Sequence, residues 1–239
     1  MKTPFIWLGS KRAEKRGVGP IGSRLDYAAK MGLPVANGAI LLHEFYQLLL
    51  DEKLIHWQNG RFHVDDPQEI HDALYTAVRF PKINKPVTVR PVFNIQINQP
   101  TNYECIKFTN ASQLTDTLCT VWQVAGAPST NIRRDIIIQE TITPEYLGIA
   151  ISKSTEQIDQ TIYAQPDETK IISPTDADRS LQMSRLKRWE SANNNLPTFA
   201  QRLQKLLRGV RRTFGDESWQ IEWADNGRIC WLTKIEIAQ

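Results

Sequence analysis

Four histidines, His43, His56, His63 and His71, fall within 29 residues, a density that raises the question of a metal. Their spacings of 13, 7 and 8 put no two on one helical turn, so isolated surface or core histidines are the favoured reading. Cys105, Cys119 and Cys230 are odd in number and widely spaced, which excludes a disulfide framework and any CxxC zinc site. No GxGxxG, GxxxxGK[ST], HExxH or GxSxG occurs. What remains is charge. Arg179, Arg185, Lys187, Arg188, Arg202, Lys205, Arg208, Arg211 and Arg212 form a basic stretch with a single acid, Glu190, among them. A solvated helical face is the default reading of such a run. The sharper one is a surface for an acidic partner. Nucleic acid is disfavoured, because neither aromatic interleaving nor a recognised module accompanies the charge.

The elements that would carry these residues are those of an ordinary globular chain. Its 239 residues, 41% hydrophobic and 23% charged, with a net charge of +3, bury enough surface to need no staple. The apolar runs are too short for a membrane span, and the N-terminal apolar patch is too brief for a signal peptide. Those features predict a cytoplasmic protein without membrane contact.

GVGPIG leads into a helix capped by Ser23 and ended by Gly32, followed by a turn at Asn37-Gly38. Leu41 to Ile55 and Pro67 to Arg79 read as two more helices. PVTVR and YECIKFTN read as strands, and Ser112 to Val124 as a helix. DIIIQETIT, Asp135 to Thr143, is a strand whose antiparallel partner is expected to be Tyr146 to Ser152, across Pro144-Glu145. The polar stretch from Thr155 to Ser180 allows short strands around Ile162 and Ile171. A helix is expected over Leu181–Glu190 and a longer one over Thr198–Thr213. Phe199, Leu203, Leu206, Val210 and Phe214 form one stripe on the latter. WQIEWA and RICWLTKIEI, joined by Asp225-Asn226-Gly227, form a hairpin in which Trp223 and Trp231 are expected to pack together. Helices mixed with antiparallel strands, lacking regular βαβ alternation, make the class α+β.

Four blocks, in order, resemble the nucleotide-binding region of the phosphoenolpyruvate synthase and pyruvate phosphate dikinase family. GVGPIGSRLDYAAKMGLPVANGAILLHEFYQLL is similar to its GGK turn, helix and GLPVPPGF. VTVRPV stands at VRSS, and DIIIQETITPEYLGIAIS at VVVQxMV…GVxFT. LQKLLRGVRRTFGDESWQIEWADNGRICWLTKIEI resembles IExxFGxPxDIEWAxDxxGxLWLLQxRPI. The resemblance implies an ATP-grasp-like fold of two lobes with antiparallel sheets and flanking helices, divided near 132/133. ATP and Mg2+ are its implied cofactors. It assigns Arg90 to the phosphates, where a planar fork suits phosphate oxygens. It assigns Gln139 to the adenine neighbourhood and Glu222 to magnesium, which takes hard oxygen ligands. Taken without the family, the same residues read as a sheet-edge arginine, a polar strand position and an exposed strand acid.

The departures from the family pattern fall on its chemistry. Its phosphate-contacting lysine is Ile21, with Arg24 the nearest substitute. VRSS has become VRPV, and Pro91 removes a backbone donor. The acid of DIEW is Gln220, and the glutamine and arginine of LLQxRP are Thr233 and Ile235. No counterpart of the phosphohistidine domain or the phosphoenolpyruvate-binding barrel is found. Each lost electrostatic group commonly costs about 10²–10³ in rate. The expectation is a nucleotide-binding or vestigial pseudoenzyme, working beside another protein subunit. The alternatives are a phosphotransferase half acting on a histidine of a separate polypeptide, and an interaction module using the basic C-terminal helices.

Overall fold

The computed structural model describes residues 3–83, 85–94, 104–106, 110–166 and 177–238, with backbone alone for 104–106. The chain divides into two units. One comprises Met1–Asp26 and Asn37–Thr141, the other Tyr27–Ala36 and Ile142–Gln239. Each contains a five-stranded antiparallel sheet with helices packed on it, so the fold is α+β.

In the first unit the strands are β1 (Phe5–Trp7), β2 (Gly38–Leu41), β5 (Val87–Pro91), β6 (Glu104–Ile106) and β7 (Ile136–Glu140), in the order β1-β2-β7-β5-β6. Alternation along β5 and β7 sends Val87, Val89, Ile136 and Ile138 to one face. There they meet Phe45, Tyr46 and Leu49 of α2 (His43–Asp51), Ile70 of α3 (Pro67–Asp72), and Leu114, Leu118 and Trp122 of α4 (Ala111–Gln123). The helix starts have local causes. Asp66 Oδ1 accepts from the Gln68 N–H at 2.8 Å, with Pro67 at the first helical position. Asn110 Oδ1 accepts from the Gln113 N–H at 3.1 Å. A two-stranded ribbon, β3 (His56–Gln58) with β4 (Arg61–His63), completes this unit.

The second sheet runs β10-β9-β8-β11-β12, from β8 (Tyr146–Ser152), β9 (Ile158–Ala164), β10 (Arg179–Ser184), β11 (Trp219–Asp225) and β12 (Cys230–Ile237). Its core lies under α5 (Thr198–Phe214), where Phe199, Leu203, Leu206, Leu207 and Val210 are buried. The Phe199 ring stacks on Trp223 at 5.7 Å. Burying each such aliphatic or aromatic side chain is worth about 1.5–3 kcal/mol. Gly148 lets β8 and β9 approach: a Cβ there would lie 2.1 Å from the Ile162 carbonyl oxygen.

Several expectations change. α1 spans Pro20–Lys30, so Ser23 lies inside the helix, its hydroxyl donating to the Val18 carbonyl at 2.8 Å, and is no cap. Gly38 starts strand β2 and not a turn, and α2 begins only at His43. Leu181–Glu190, expected as a helix, is strand as far as Ser184 and loop beyond it: β10 pairs antiparallel with β9 over its whole length. β7 and β8 do not form a hairpin. β7 pairs with β2 and β5, whereas β8 pairs with β9 and β11. β7 therefore belongs to the first unit, which ends at Thr141 and not near 132. Trp223 pairs with Leu232 and not with Trp231, which lies opposite Ala224 on the other face. The strand expected around Ile171, and most of YECIKFTN apart from Glu104–Ile106, lie outside the described residues.

Candidate functional site

The candidate residues separate into two groups, one on each sheet. On β5, the same alternation that buries Val87 and Val89 turns Thr88 and Arg90 to the opposite face. Gln139 shares that face through its pairing with Thr88. Arg90 stands across from Ile137, one diagonal step from Gln139, and its guanidinium donates to Gln139 Oε1. Both are buried, at 7% and 4% exposure. β5 lies between β7 and β6, the described part of β6 pairing with Val87, Thr88 and Val89. The hydroxyls of Thr88 and Thr141 hydrogen-bond beside them at 3.2 Å, and Lys85 Nζ pairs with Glu140 at 2.9 Å.

The stretch GVGPIG comes up against the chain that follows Arg90. A Cβ on Gly19 would fall 2.0 Å from the Phe93 carbonyl oxygen, so only glycine permits that approach. One turn on, Gly22 abuts Val18 and Val92. Val92 is 1% exposed and occupies the second position of the lost serine pair, so packing has replaced hydroxyl chemistry there. Ile21, half-buried on α1, carries no charge to the same place, and Arg24 lies one helical turn further along.

On the second sheet, Gln220 and Glu222 of β11 face away from the core that Ile221 and Trp223 enter. Their cross-strand partners are Glu236 and Lys234. Lys234 Nζ lies 3.4 Å from Glu222 Oε1 and 3.2 Å from Glu236 Oε2. The Gln220 amide donates to Glu236 Oε1 at 3.0 Å. Glu222 is 9% exposed and so is not the exposed strand acid that alternation alone would make it. Thr233 stands at the bulge opposite Glu222 and Trp223, and Ile235 is fully buried against Ile221.

This arrangement does not fit a divalent cation. An ion held by Glu222 would sit about 4 Å from the Lys234 ammonium and face about 8 kcal/mol of repulsion at an effective dielectric of 20. Lys234 is the residue that sequence reasoning missed. Its signal was present in the hairpin, but only the observed register brings it opposite Glu222.

Several cations of the basic stretch are committed to the fold. Arg202 grips the fully buried Asp225 with two bonds of 2.7 Å. Arg211 holds Asp159, also fully buried, at 2.9 Å together with Ser152 Oγ at 2.8 Å. Arg208 donates to the Glu190 carbonyl at 2.7 Å, and Arg185 pairs with Asp216. The solvated basic face expected on α5 thus reduces to Lys205 and Arg212, the cations there that remain exposed. In the first unit Arg133 bridges Asp135 at 3.0 Å and Glu44 at 3.1 Å, while His43 Nδ1 accepts the Arg134 N–H at 3.2 Å. Burial, and then the Arg133 charge, pushes the His43 pKa down. His56 and His63 stack across β3 and β4 at 5.7 Å. Among the described residues no group of three or more His, Cys, Asp or Glu side chains could hold a metal. No helix among them is long and apolar enough to cross a membrane.

Fold and candidate residues together define an α+β chain of two antiparallel-sheet units with polar clusters on the sheet faces turned from the cores. Comparison with protein families gives no match, and comparison with curated proteins gives none either. Solved structures similar to the chain include a D-alanine–D-alanine ligase from Bacillus anthracis complexed with ATP. It is 10% identical at a TM-score of 0.46, over 90% of this chain and 53% of that one. A RimK domain ATP-grasp protein from Sphaerobacter thermophilus is 9% identical at a TM-score of 0.43, over 89% and 56%. An ATP citrate lyase from Methanothrix soehngenii, in complex with citrate and coenzyme A, is 11% identical at 0.37, over 71% and 41%. The chain spans about half the length of the ligase and RimK structures.

Proposed function

We propose that the chain is a divergent ATP-grasp module of the phosphoenolpyruvate synthase and pyruvate phosphate dikinase kind. It binds a nucleotide, or descends from one that did, and acts beside another protein without efficient phosphotransfer of its own. The observation that carries this reading is the contact between two resembling blocks far apart in sequence. GVGPIG packs on VRPV through Gly19 and Gly22, next to the strand that presents Arg90 beside Gln139. The loss of catalysis is supported by what fills the altered positions. Val92 and Ile235 are core residues, and Ile21 is uncharged. Positioned charge is nearly all that a protein contributes to phosphoryl transfer.

Calorimetric titration with ATP, repeated on Arg90→Ala, tests the reading. A hydrogen-bonded contact to a charged phosphate is worth about 1.5–3 kcal/mol, so the variant is expected to bind at least about tenfold more weakly. Arg90→Lys, which keeps the charge without the fork, should fall between the two. No heat at millimolar ATP overturns nucleotide binding and leaves a vestigial module. Steady ATP turnover that phosphorylates a histidine on a second polypeptide would instead establish the phosphotransferase half.

A further inference from the structure

We propose that the Lys234 ammonium permanently takes the place of a divalent cation between Glu222 and Glu236, so that this cluster recruits no metal and any polyphosphate ligand of the chain is bound without one. The inference rests on the reading of Glu222 given above and extends it to the cofactor.

Three observations lead there. The first is geometry. Glu222 and Lys234 are direct cross-strand partners, as are Gln220 and Glu236, so all four side chains share one sheet face. The single ammonium lies within 3.4 Å of one carboxylate and 3.2 Å of the other, bridging two acids that would otherwise repel each other. The second is composition. Gln220 stands where the family pattern has an acid, and its amide donates to Glu236 Oε1 at 3.0 Å. An aspartate there would add a third negative charge to the face. The glutamine leaves two acids around one lysine, a net charge of −1 for the four residues. The glutamine in place of the acid and the lysine opposite Glu222 therefore act in one direction, lowering the demand for an external cation. The third is burial. Glu222 is 9% exposed and the Lys234 side chain 25%, so water screens the contact only in part. A hydrated magnesium ion demands near-octahedral oxygen ligands and sheds its waters reluctantly, whereas an ammonium needs only acceptors around three donors.

Mn2+ titration followed by electron paramagnetic resonance, with no nucleotide present, reads this directly on the full chain. The wild type is expected to show no saturable Mn2+ at millimolar concentration. Lys234→Met removes the ammonium and keeps the stem, and is expected to gain Mn2+ affinity by on the order of tenfold or more. Lys234→Met combined with Glu222→Gln should lose that gain. Saturable binding by the wild type that disappears in Glu222→Gln overturns the proposal, as does a folded Lys234→Met that gains nothing. Should Lys234→Met fail to fold, the wild-type titration still decides, and Lys234→Gln provides the second variant. A separate titration of the wild type with ATP, in EDTA and in excess magnesium, should give the same affinity in both. Binding that requires magnesium also overturns it. Absence of ATP binding in either condition counts against the nucleotide reading alone, because the Mn2+ titration stands without it.

Discussion

Arg202 and Arg208 are expected on a solvated basic face of α5, yet they and Arg211 each end on a buried or half-buried acceptor of the same unit. The consequence is steep. Asp225 is wholly removed from solvent, so deleting its partner leaves a buried, uncompensated carboxylate. Arg202→Ala should cost about 3–5 kcal/mol in urea unfolding, and adding Asp225→Asn should recover part of it. Lys205→Ala, on the same helix but exposed, should stay within about 0.5 kcal/mol. His43 makes a different kind of prediction. Its Nδ1 accepts the Arg134 N–H, so the native ring is held neutral, and Arg133, Arg134, Glu44 and Asp135 are the charges around it. Because the folded pKa lies below 6.5, the unfolded chain takes up the proton first as the pH falls. Stability contributed by neutral His43 is therefore complete above about pH 6.5 and is lost as the pH drops through the folded value. His43→Asn, which keeps an acceptor that does not titrate, should flatten the decline between pH 7 and pH 5.5 in denaturant titrations.

At the scale of elements, Gly148 is the position where β8 tolerates nothing larger. Gly148→Ala drives a Cβ into the Ile162 carbonyl, and we expect a loss of about 1–3 kcal/mol. Hydrogen exchange should show it as reduced protection along β8 and β9, the pair that must part to relieve the clash. What sequence reveals of such elements depends on how much of their pattern is local. The stripe of α5, the proline-started α3 and the closing hairpin rest on neighbours within a few residues, and all three form. β10 misleads because it is an edge strand in which only Met183 is buried, so its alternation is faint. β7 and β8 mislead because alternation says that a strand is buried, not in which sheet. The site shows the same limit. Arg90 and Gln139 are adjacent once β5 and β7 pair, and motif order pointed to both. The role of Lys234 depends on register. A Trp223–Trp231 pairing would set Leu232 opposite Glu222, but a longer turn and a bulge move the partner two residues on, to Lys234.

For the molecule as a whole, a net charge of +3 says nothing of the ion pairs that hold Asp135, Asp159 and Asp225 in the two interiors. The thiols of Cys119 and Cys230 are likewise withdrawn. Cys119 is buried in the first core, where burial and then Asp116 push its pKa up to about 12, and burial raises Cys230 well above the ordinary thiol range. Native protein should leave both unreactive toward a thiol reagent at pH 8, and guanidinium should release them. Prompt reaction of both without denaturant would mean that the two cores open readily. The division into units was only half legible, because ten residues near the start, Tyr27–Ala36, belong with the C-terminal half. There Tyr27 meets Phe214 edge to face at 5.6 Å, and the Pro34 carbonyl accepts the Leu232 N–H at 2.7 Å. That feature matters on the ribosome. Pro34 is made almost 200 residues before Leu232. At 5–20 residues per second it waits roughly 10–40 s for its partner. The nascent chain must hold this early segment unclaimed while the first sheet assembles on either side of it, so slowing synthesis after β7 lengthens that wait without altering a single native contact.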